Sequence, residues 1–371
     1  MIALIVVSGA CGNGAVNSLA AGNDDVAEAT VMMGSYEQQQ KAAAASRAKD
    51  PAWKPACDEV GKIQVGDSKR PGALRNFCLN AEGNILACFA GNDKKSPSGL
   101  RVYSPKGELL QTLPLDIKPS AVCVAKDGSI FVAGDGKVFK LDTTGKVLAS
   151  ADSPVANIPV VITEEIEKML KESRRDTGRT LEQEKELMKN SLEKRRSDVT
   201  GIAVTEQDVF MAVPTPNAFT YQVYRFDHSL GNAKVVVEKL RGCCSQMDIQ
   251  TFGGNLWIPH NARHRVESLD RDGKELTNFG KAGKVKAADF GGCCEPKNLR
   301  VLPNGDILAA ESGPPTCIKR FSAAGKFIEV LAMTKEDGDC VRVTVEASPD
   351  GKQFYMLDTK HDAIRIFAAK S

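Results

Sequence analysis

The feature that most limits this chain is a module that recurs along it. In its clearest copy a short apolar strand starts at Leu299 and is followed by a turn at Asn304-Gly305. A second strand spans 307–310, a third 318–321, and a last strand, 327–331, follows a turn at Gly325-Lys326. Equivalent segments begin near Leu74, Val122, Gly201, Met247 and Val341, several with the same turn (Glu82-Gly83, Asp127-Gly128, Asp350-Gly351). Apolar residues alternate with period two inside them, the pattern of a pleated strand with one covered face. Six copies at spacings of about 45 to 50 residues, apart from one long insertion, predict an all-β fold: a six-bladed β-propeller of four-stranded blades over 59–371. The sixth copy lacks an outer strand, and residues 59–65 form a strand with no other place. Pairing the two closes the ring and hides its open edges.

A second repeat lies on the first. Gly242-Cys243-Cys244-Ser245-Gln246-Met247-Asp248-Ile249 and Gly292-Cys293-Cys294-Glu295-Pro296-Lys297-Asn298-Leu299 share the pattern Gly-Cys-Cys-x-x-x-(Asp/Asn)-(Ile/Leu), displaced by 50 residues (293 minus 243). Both precede an innermost strand. Aligning Asp350-Gly351 with Asn304-Gly305 matches Cys340 to Cys294. In a blade the loop before the first strand and the loop after the second open on one face. Five cysteines of blades four to six are therefore expected at one channel mouth. Loops after second strands add His260, Asn261 and His264, then Glu311 and Cys317, then Asp358 and His361.

The interruption at 154–197 carries helix signals: a start at Thr163-Glu164-Glu165, a break at Asp176-Thr177-Gly178 and a restart at Thr180-Leu181-Glu182. A helical hairpin over 160–197 is expected between blades two and three, as a solvated decoration or as a lid on the same face. Its apolar face would be Ile162, Ile166, Met169, Leu170, Leu181, Leu187, Met188 and Leu192.

The stretch from Asn304 to Glu311, with Ile318-Lys319-Arg320-Phe321 and Gly325-Lys326-Phe327, resembles the repeats of the NHL-type propellers. The resemblance covers residues 60–371. It departs where such modules carry an Asp after the second strand, which here appears only as Glu311 and Asp358. The family includes sugar lactonases, an amidating lyase, sensors and interaction scaffolds, so it implies fold and leaves function open. Lactonase-type members hold a divalent cation with a Glu and Asn or Asp side chains of innermost strands, and Asp248 and Asn298 are the matching residues. Amidating lyases use histidine ligands, for which His260, His264 and His361, from two blades, are the candidates.

Composition narrows the choice. The 371 residues carry a net charge of +2, which argues against nucleic acid as a partner. Eleven cysteines suggest an oxidising compartment, or a metal or redox site. The apolar run 2–7 followed by Ser8-Gly9-Ala10-Cys11 reads as a signal peptide or lipoprotein signal within 1–22, although no Lys or Arg precedes it. Export to the periplasm, the cell surface or the medium is expected, with a lipid anchor at Cys11 as the sole membrane contact. Residues 23–58, rich in Ala, Gln, Asn and Gly, are expected to be a flexible tether to a monomeric propeller.

Adjacent cysteines have Cα atoms about 3.8 Å apart, below the usual disulfide range. The pairs therefore suggest strained vicinal disulfides, bridges between blades such as Cys317 to Cys340, or thiolates for a soft metal ion such as copper or zinc. Cys78 and Cys88 flank the first hairpin and either pair across it or pack; Cys57 and Cys123 have no obvious partner. No Cys-x-x-Cys occurs, which removes thioredoxin-like and c-type haem motifs. A small ligand, a metal or a protein partner bound at the mouth by Cys243, Cys244, Cys293, Cys294, Cys340, Cys317, Asp248, Asn298 and Glu311 is the leading reading. A metal-dependent hydrolase or lyase, and a purely structural scaffold, are the alternatives.

Overall fold

The turns set the blades. In the hairpins after the innermost strands of blades one, two, five and six, Gly83, Gly128, Gly305 and Gly351 hold φ of 80°, 83°, 87° and 68°, a region that costs a side chain dearly. In the outer hairpins the preceding Asp folds back on the turn. Asp142 accepts from the amides of Thr144 and Lys146 at 2.9 and 3.0 Å, and Asp270 repeats this with Asp272 and Lys274.

A computed structural model describes residues 36–67, 72–91, 96–172, 178–242, 246–292, 294–334 and 341–370. They form six antiparallel four-stranded sheets. After β1 (Cys57–Gln64), blade one is β2–β5 (Leu74–Leu79, Ile85–Phe89, Gly99–Tyr103, Leu109–Pro114). Blade two is β6–β9 (Ala121–Val124, Ile130–Gly134, Lys137–Leu141, Val147–Asp152). Blade three is β10–β13 (Gly201–Val204, Val209–Pro214, Thr220–Phe226, Lys234–Arg241). Blade four is β14–β17 (Gln250–Phe252, Asn255–His260, Arg265–Leu269, Glu275–Phe279). Blade five is β18–β21 (Asn298–Val301, Ile307–Glu311, Cys317–Phe321, Phe327–Met333). Blade six is β22–β24 (Val345–Ala347, Gln353–Asp358, Ala363–Ala369), completed by β1, which pairs from Cys57 opposite Ala369 to Gln64 opposite Ala363. The expected closing strand is this one. Each innermost strand touches the next, from β2 round to β22 and back to β2.

The core lies between blades. Six apolar clusters fill the six interfaces, such as Phe210, Leu240, Ile249 and Ile258 between blades three and four. Cys78 and Cys88 belong to the cluster between blades one and two and do not pair: Cys78 stands opposite Leu86, and Cys88 opposite Asn76. Second strands are buried throughout in blades one, two, three and five, while outer strands expose Leu109, Leu110, Val147 and Leu148.

The helical hairpin is present between blades two and three as α2 (Glu164–Glu172) and α3 (Leu181–Arg196), the latter opened by a capping box of Thr180 and Gln183. Its apolar face is narrower than the sequence suggests: Ile166 and Leu192 are buried, and Leu187 is exposed. Arg195 anchors it to blade three, donating to the carbonyls of Ala218 and Thr220 at 2.8 and 3.1 Å and lying over the Tyr221 ring.

The described part of the expected tether is docked instead. α1 (Tyr36–Arg47) and the turn Pro51–Trp53 pack on the linker between blades four and five. Arg47 donates to the Lys284 carbonyl and Trp53 Nε1 to the Val285 carbonyl, at 2.8 and 2.7 Å. Trp53 packs with Ala287, Cys317 and Val330. Partners more than 230 residues away order a helix whose own sequence carries no apolar stripe.

Candidate functional site

Cys243, Cys244, Cys293 and Cys340 lie outside the described residues. The described residues of these linkers and of the strands beside them form four layers of polar structure.

The first is a closed circle of hydrogen bonds across all six blade junctions. Asn76 donates to the Ser120 carbonyl at 3.3 Å, Ser120 Oγ to the Val199 carbonyl at 2.7 Å, and Thr200 Oγ1 to the Met247 carbonyl at 2.7 Å. Asn298 Nδ2 donates to Asp248 Oδ2 at 2.6 Å, the Val345 amide to Asn298 Oδ1 at 2.8 Å, and Thr344 Oγ1 to Asn76 Oδ1 at 2.8 Å. The Asp/Asn of the repeated motif is therefore a link between blades. Asp248 and Asn298, expected to face a ligand, bond to each other, to the Ile249 amide and to the Val345 amide. Burial lifts the Asp248 carboxyl to about 6, against the pull of Arg342 and Asn298.

The second layer ties the linkers to one another. Gln246 donates to the Val343 carbonyl at 2.8 Å and accepts from the Val343 amide at 3.2 Å, joining the linker before blade four to the linker before blade six. Asn261 bonds the Gln246 carbonyl at 2.7 Å, and Arg342 reaches the Ser120 carbonyl at 2.8 Å on the far side.

The third layer joins the end of each second strand to the third strand in blades four to six. His260 pairs with Glu267, Glu311 with Lys319, and Asp358 with Arg365. Each partner lies two residues beyond the position directly opposite. The Arg241 amide donates to His260 Nε2 at 3.0 Å, so Nδ1 carries the proton and donates to Glu267 at 2.7 Å. With both nitrogens engaged, His260 is not a metal ligand. His361 Nδ1 bonds Asp358 Oδ2 at 2.8 Å, and His264 caps a one-turn helix in a left-handed conformation with φ 53°. Among the described residues no three His, Cys, Asp and Glu side chains converge as a metal set. The cation that the lactonase-type resemblance implies does not fit residues committed to blade pairing, and no step is assigned to it.

The fourth layer is a buried cluster of charged groups beside Gly291 and Gly292. Lys297 and Cys294 are completely buried, and Lys297 Nζ donates to Cys294 Sγ at 2.8 Å. Glu295 Oε1 accepts from the Ser312 amide, the Ser312 hydroxyl and the Gly313 amide at 3.0, 2.9 and 2.8 Å. Its Oε2 has no hydrogen-bond partner among the described residues. Burial, with Glu311 nearby, pushes this carboxyl to about 8 despite Lys297, so it is protonated at neutral pH. Glu311 accepts from the Gly291 amide at 2.8 Å, and Lys319, sealed beneath the Trp53 ring, donates to the Asp289 carbonyl at 2.6 Å. Cys317 is buried beside them, its thiol raised by burial and Glu311. Cys294, Cys317 and Glu311 are thus drawn together, but under the surface of the mouth. Sequence reasoning passed over Glu295, Lys297 and Lys319; a Glu and a Lys inside an otherwise apolar Cys-Cys motif were the available signal.

No protein-family model matches the chain, and no curated protein matches it. Solved structures match in fold. A structural-genomics protein of unknown function from Bacteroides thetaiotaomicron is 10% identical, with 85% of this chain and 73% of that one covered and a TM-score of 0.50. A chain of the mitotic checkpoint complex, also 10% identical, matches over 87% and 98% at 0.50. A gluconolactonase from Xanthomonas campestris, 10% identical over 85% and 96%, matches at 0.49. At such identities the likeness is one of architecture: this chain is a six-bladed propeller.

Proposed function

We propose that this propeller is a binding protein that takes a soft metal ion on the outer side of its closed mouth, through thiols of the linkers before blades four, five and six. The carrying observation is the double hydrogen bond between Gln246 and Val343. It supports a mouth without an entry to the channel, where a lactonase or lyase would work. It also supports two cysteine-bearing linkers side by side, since Cys244 precedes Gln246 by two residues and Cys340 precedes Val343 by three. A residue of extended chain reaches about 3.3–3.6 Å, so the sequence separation allows both thiols to reach the plug. Cys243, Cys244, Cys293 and Cys340 are the ligands in this reading; thiolates favour copper(I) or zinc over magnesium or calcium.

Reduced protein, dialysed without oxygen against copper(I) or zinc(II), should retain about one equivalent of metal per chain. Cys243→Ser/Cys244→Ser should lose it, and Cys88→Ser, between blades one and two, should keep it. A protein that binds neither ion, or that hydrolyses a lactone in the presence of a divalent cation, refutes the reading. Export with lipidation of Cys11 belongs to the same proposal. It rests on residues 2–11 and is tested by cell fractionation and by the mass of the Cys11 peptide.

A further inference from the structure

Outside the proposed thiol site, one pair of reactive groups lies in direct contact in the interior. Lys297 Nζ and Cys294 Sγ are 2.8 Å apart, and neither residue has any solvent-exposed surface. Charge-assisted contacts of about 2.7–2.9 Å are usual for nitrogen and oxygen, and sulfur is the larger atom, so the two are pressed together. Blade five holds them there. The Lys297 amide donates to the Ala310 carbonyl at 2.8 Å, and Glu295, between the two residues, is clamped by three donors from Ser312 and Gly313. Lys319, the second buried lysine, is paired with the Glu311 carboxylate and with the Asp289 carbonyl. Lys297 lies close enough to Glu295 to act on its carboxyl and also meets a thiol in a completely buried, preorganised site, where proximity replaces the need for a diffusing partner.

We propose that Lys297 and Cys294 are a modification site, joined under oxidising conditions by a single oxygen atom as a lysine–cysteine N–O–S bridge. Dioxygen is the oxidant. One N–H bond of the amine and the S–H bond of the thiol break, and an N–O and an O–S bond form. Nitrogen and sulfur together give up four electrons to the dioxygen molecule. One of its oxygen atoms stays in the bridge, and the other leaves as water with the two released hydrogens. Four equivalents of a small thiol reverse the change, yielding amine, thiol, water and two disulfides. The bridge closes a loop at the root of the linker between blades four and five, beneath Gly291 and Gly292, so the redox state of a buried pair reaches the mouth.

The test uses the full chain, incubated in air, denatured, alkylated and digested without reductant. The peptide containing Cys294 and Lys297 should carry about +14 Da (one oxygen gained, two hydrogens lost) with Cys294 resistant to alkylation. Treatment with dithiothreitol should remove the shift and release an alkylatable Cys294, whereas lysine methylation, of nearly the same mass, would survive it. Lys297→Arg and Cys294→Ser should abolish the shift, and Cys317→Ser, in the same pocket, should not. Three outcomes overturn the proposal, each readable on the wild-type chain alone. One is a Cys294 fully alkylated after air exposure. The others are a loss of about 2 Da in a disulfide to another cysteine, and a gain of about 16 Da on Cys294 with an unmodified Lys297.

Discussion

Blades one to three and blades four to six use the same backbone position differently. At the end of the second strand, blades four, five and six carry His260, Glu311 and Asp358, each paired with a charged residue of the third strand. Blades one, two and three carry Phe89, Gly134 and Pro214 there. In blade one the same diagonal is filled by Arg101, stacked 3.4 Å from the centre of the Phe89 ring. Fully buried carboxyls raised into the neutral range, Asp248, Glu295 and Glu346, likewise belong to blades four to six or the linkers before them. One architecture thus tolerates an apolar or a charged solution, but the charged one depends on partners and on pH. That half is also where the cysteine-bearing linkers lie.

The sharpest way to break this comparison is to remove one charged side chain from each half. Lys319→Met leaves Glu311 without its ion-pair partner, and unfolding in urea should show a loss of about 3–5 kcal/mol. Arg101→Met removes a partly exposed guanidinium that stacks on Phe89 and donates to the Val65 carbonyl and Ser96 Oγ, and should cost only about 1–2 kcal/mol. Glu311→Gln/Lys319→Met should recover much of the first loss, because no lone charge then remains. Equal effects of the two single substitutions would erase the distinction between the halves.

The pH dependence comes next. The folded-state values of Asp248, Glu346 and Glu295, about 6, 7 and 8, lie above the ordinary 3.8, 4.5 and 4.5. The folded chain therefore holds protons that the unfolded chain releases. The stability tied to these groups is complete below about pH 4 and is lost as pH rises through 6 to 8. Each unit of displacement corresponds to about 1.4 kcal/mol, an upper bound for groups that water reaches on local opening. The urea midpoint should fall between pH 5 and 9, and Glu295→Gln should flatten the alkaline end of that fall. A variant curve parallel to wild type would show that Glu295 is ionised in the folded protein.

The circle of hydrogen bonds offers a further comparison. Asn298→Ala strands the Asp248 carboxyl and the Val345 amide and should cost about 2 kcal/mol. Asn76→Ala, which breaks a longer 3.3 Å contact to Ser120 along with the Thr344 link, should cost about 1 kcal/mol. Thermal unfolding of the two variants side by side decides between them.

Much of this was legible in the residues. The strand period, the Asp-Gly and Asn-Gly turns and the unpaired strand near residue 60 are local signals, and they led to blades, ring closure and the place of the helical hairpin. The convergence of the blade four to six loops followed from the up-and-down path of a blade. Roles were harder to read. Asp248 and Asn298 are the positions that the resemblance pointed to as cation ligands, and nothing in a single sequence distinguishes a ligand from a link between blades. His260 with Glu267, Glu311 with Lys319 and Asp358 with Arg365 recur at separations of seven, eight and seven residues across the same hairpin. That recurrence was available as a warning that these side chains serve their own blades.

The sequence by itself determined the number of blades, the strand that closes them and the face on which the linkers meet, because alternation and turn chemistry act over a few residues. Tertiary structure decided which polar groups are spent. Residues 36–54 became a docked segment because Arg47 and Trp53 find carbonyls at 284 and 285. The mouth closed because Gln246 meets Val343, and Lys297 was left facing Cys294 because Ala310, Ser312 and Gly313 fix the turn between them. Such partners are distant in the chain, and a buried polar group is defined by what reaches it after folding.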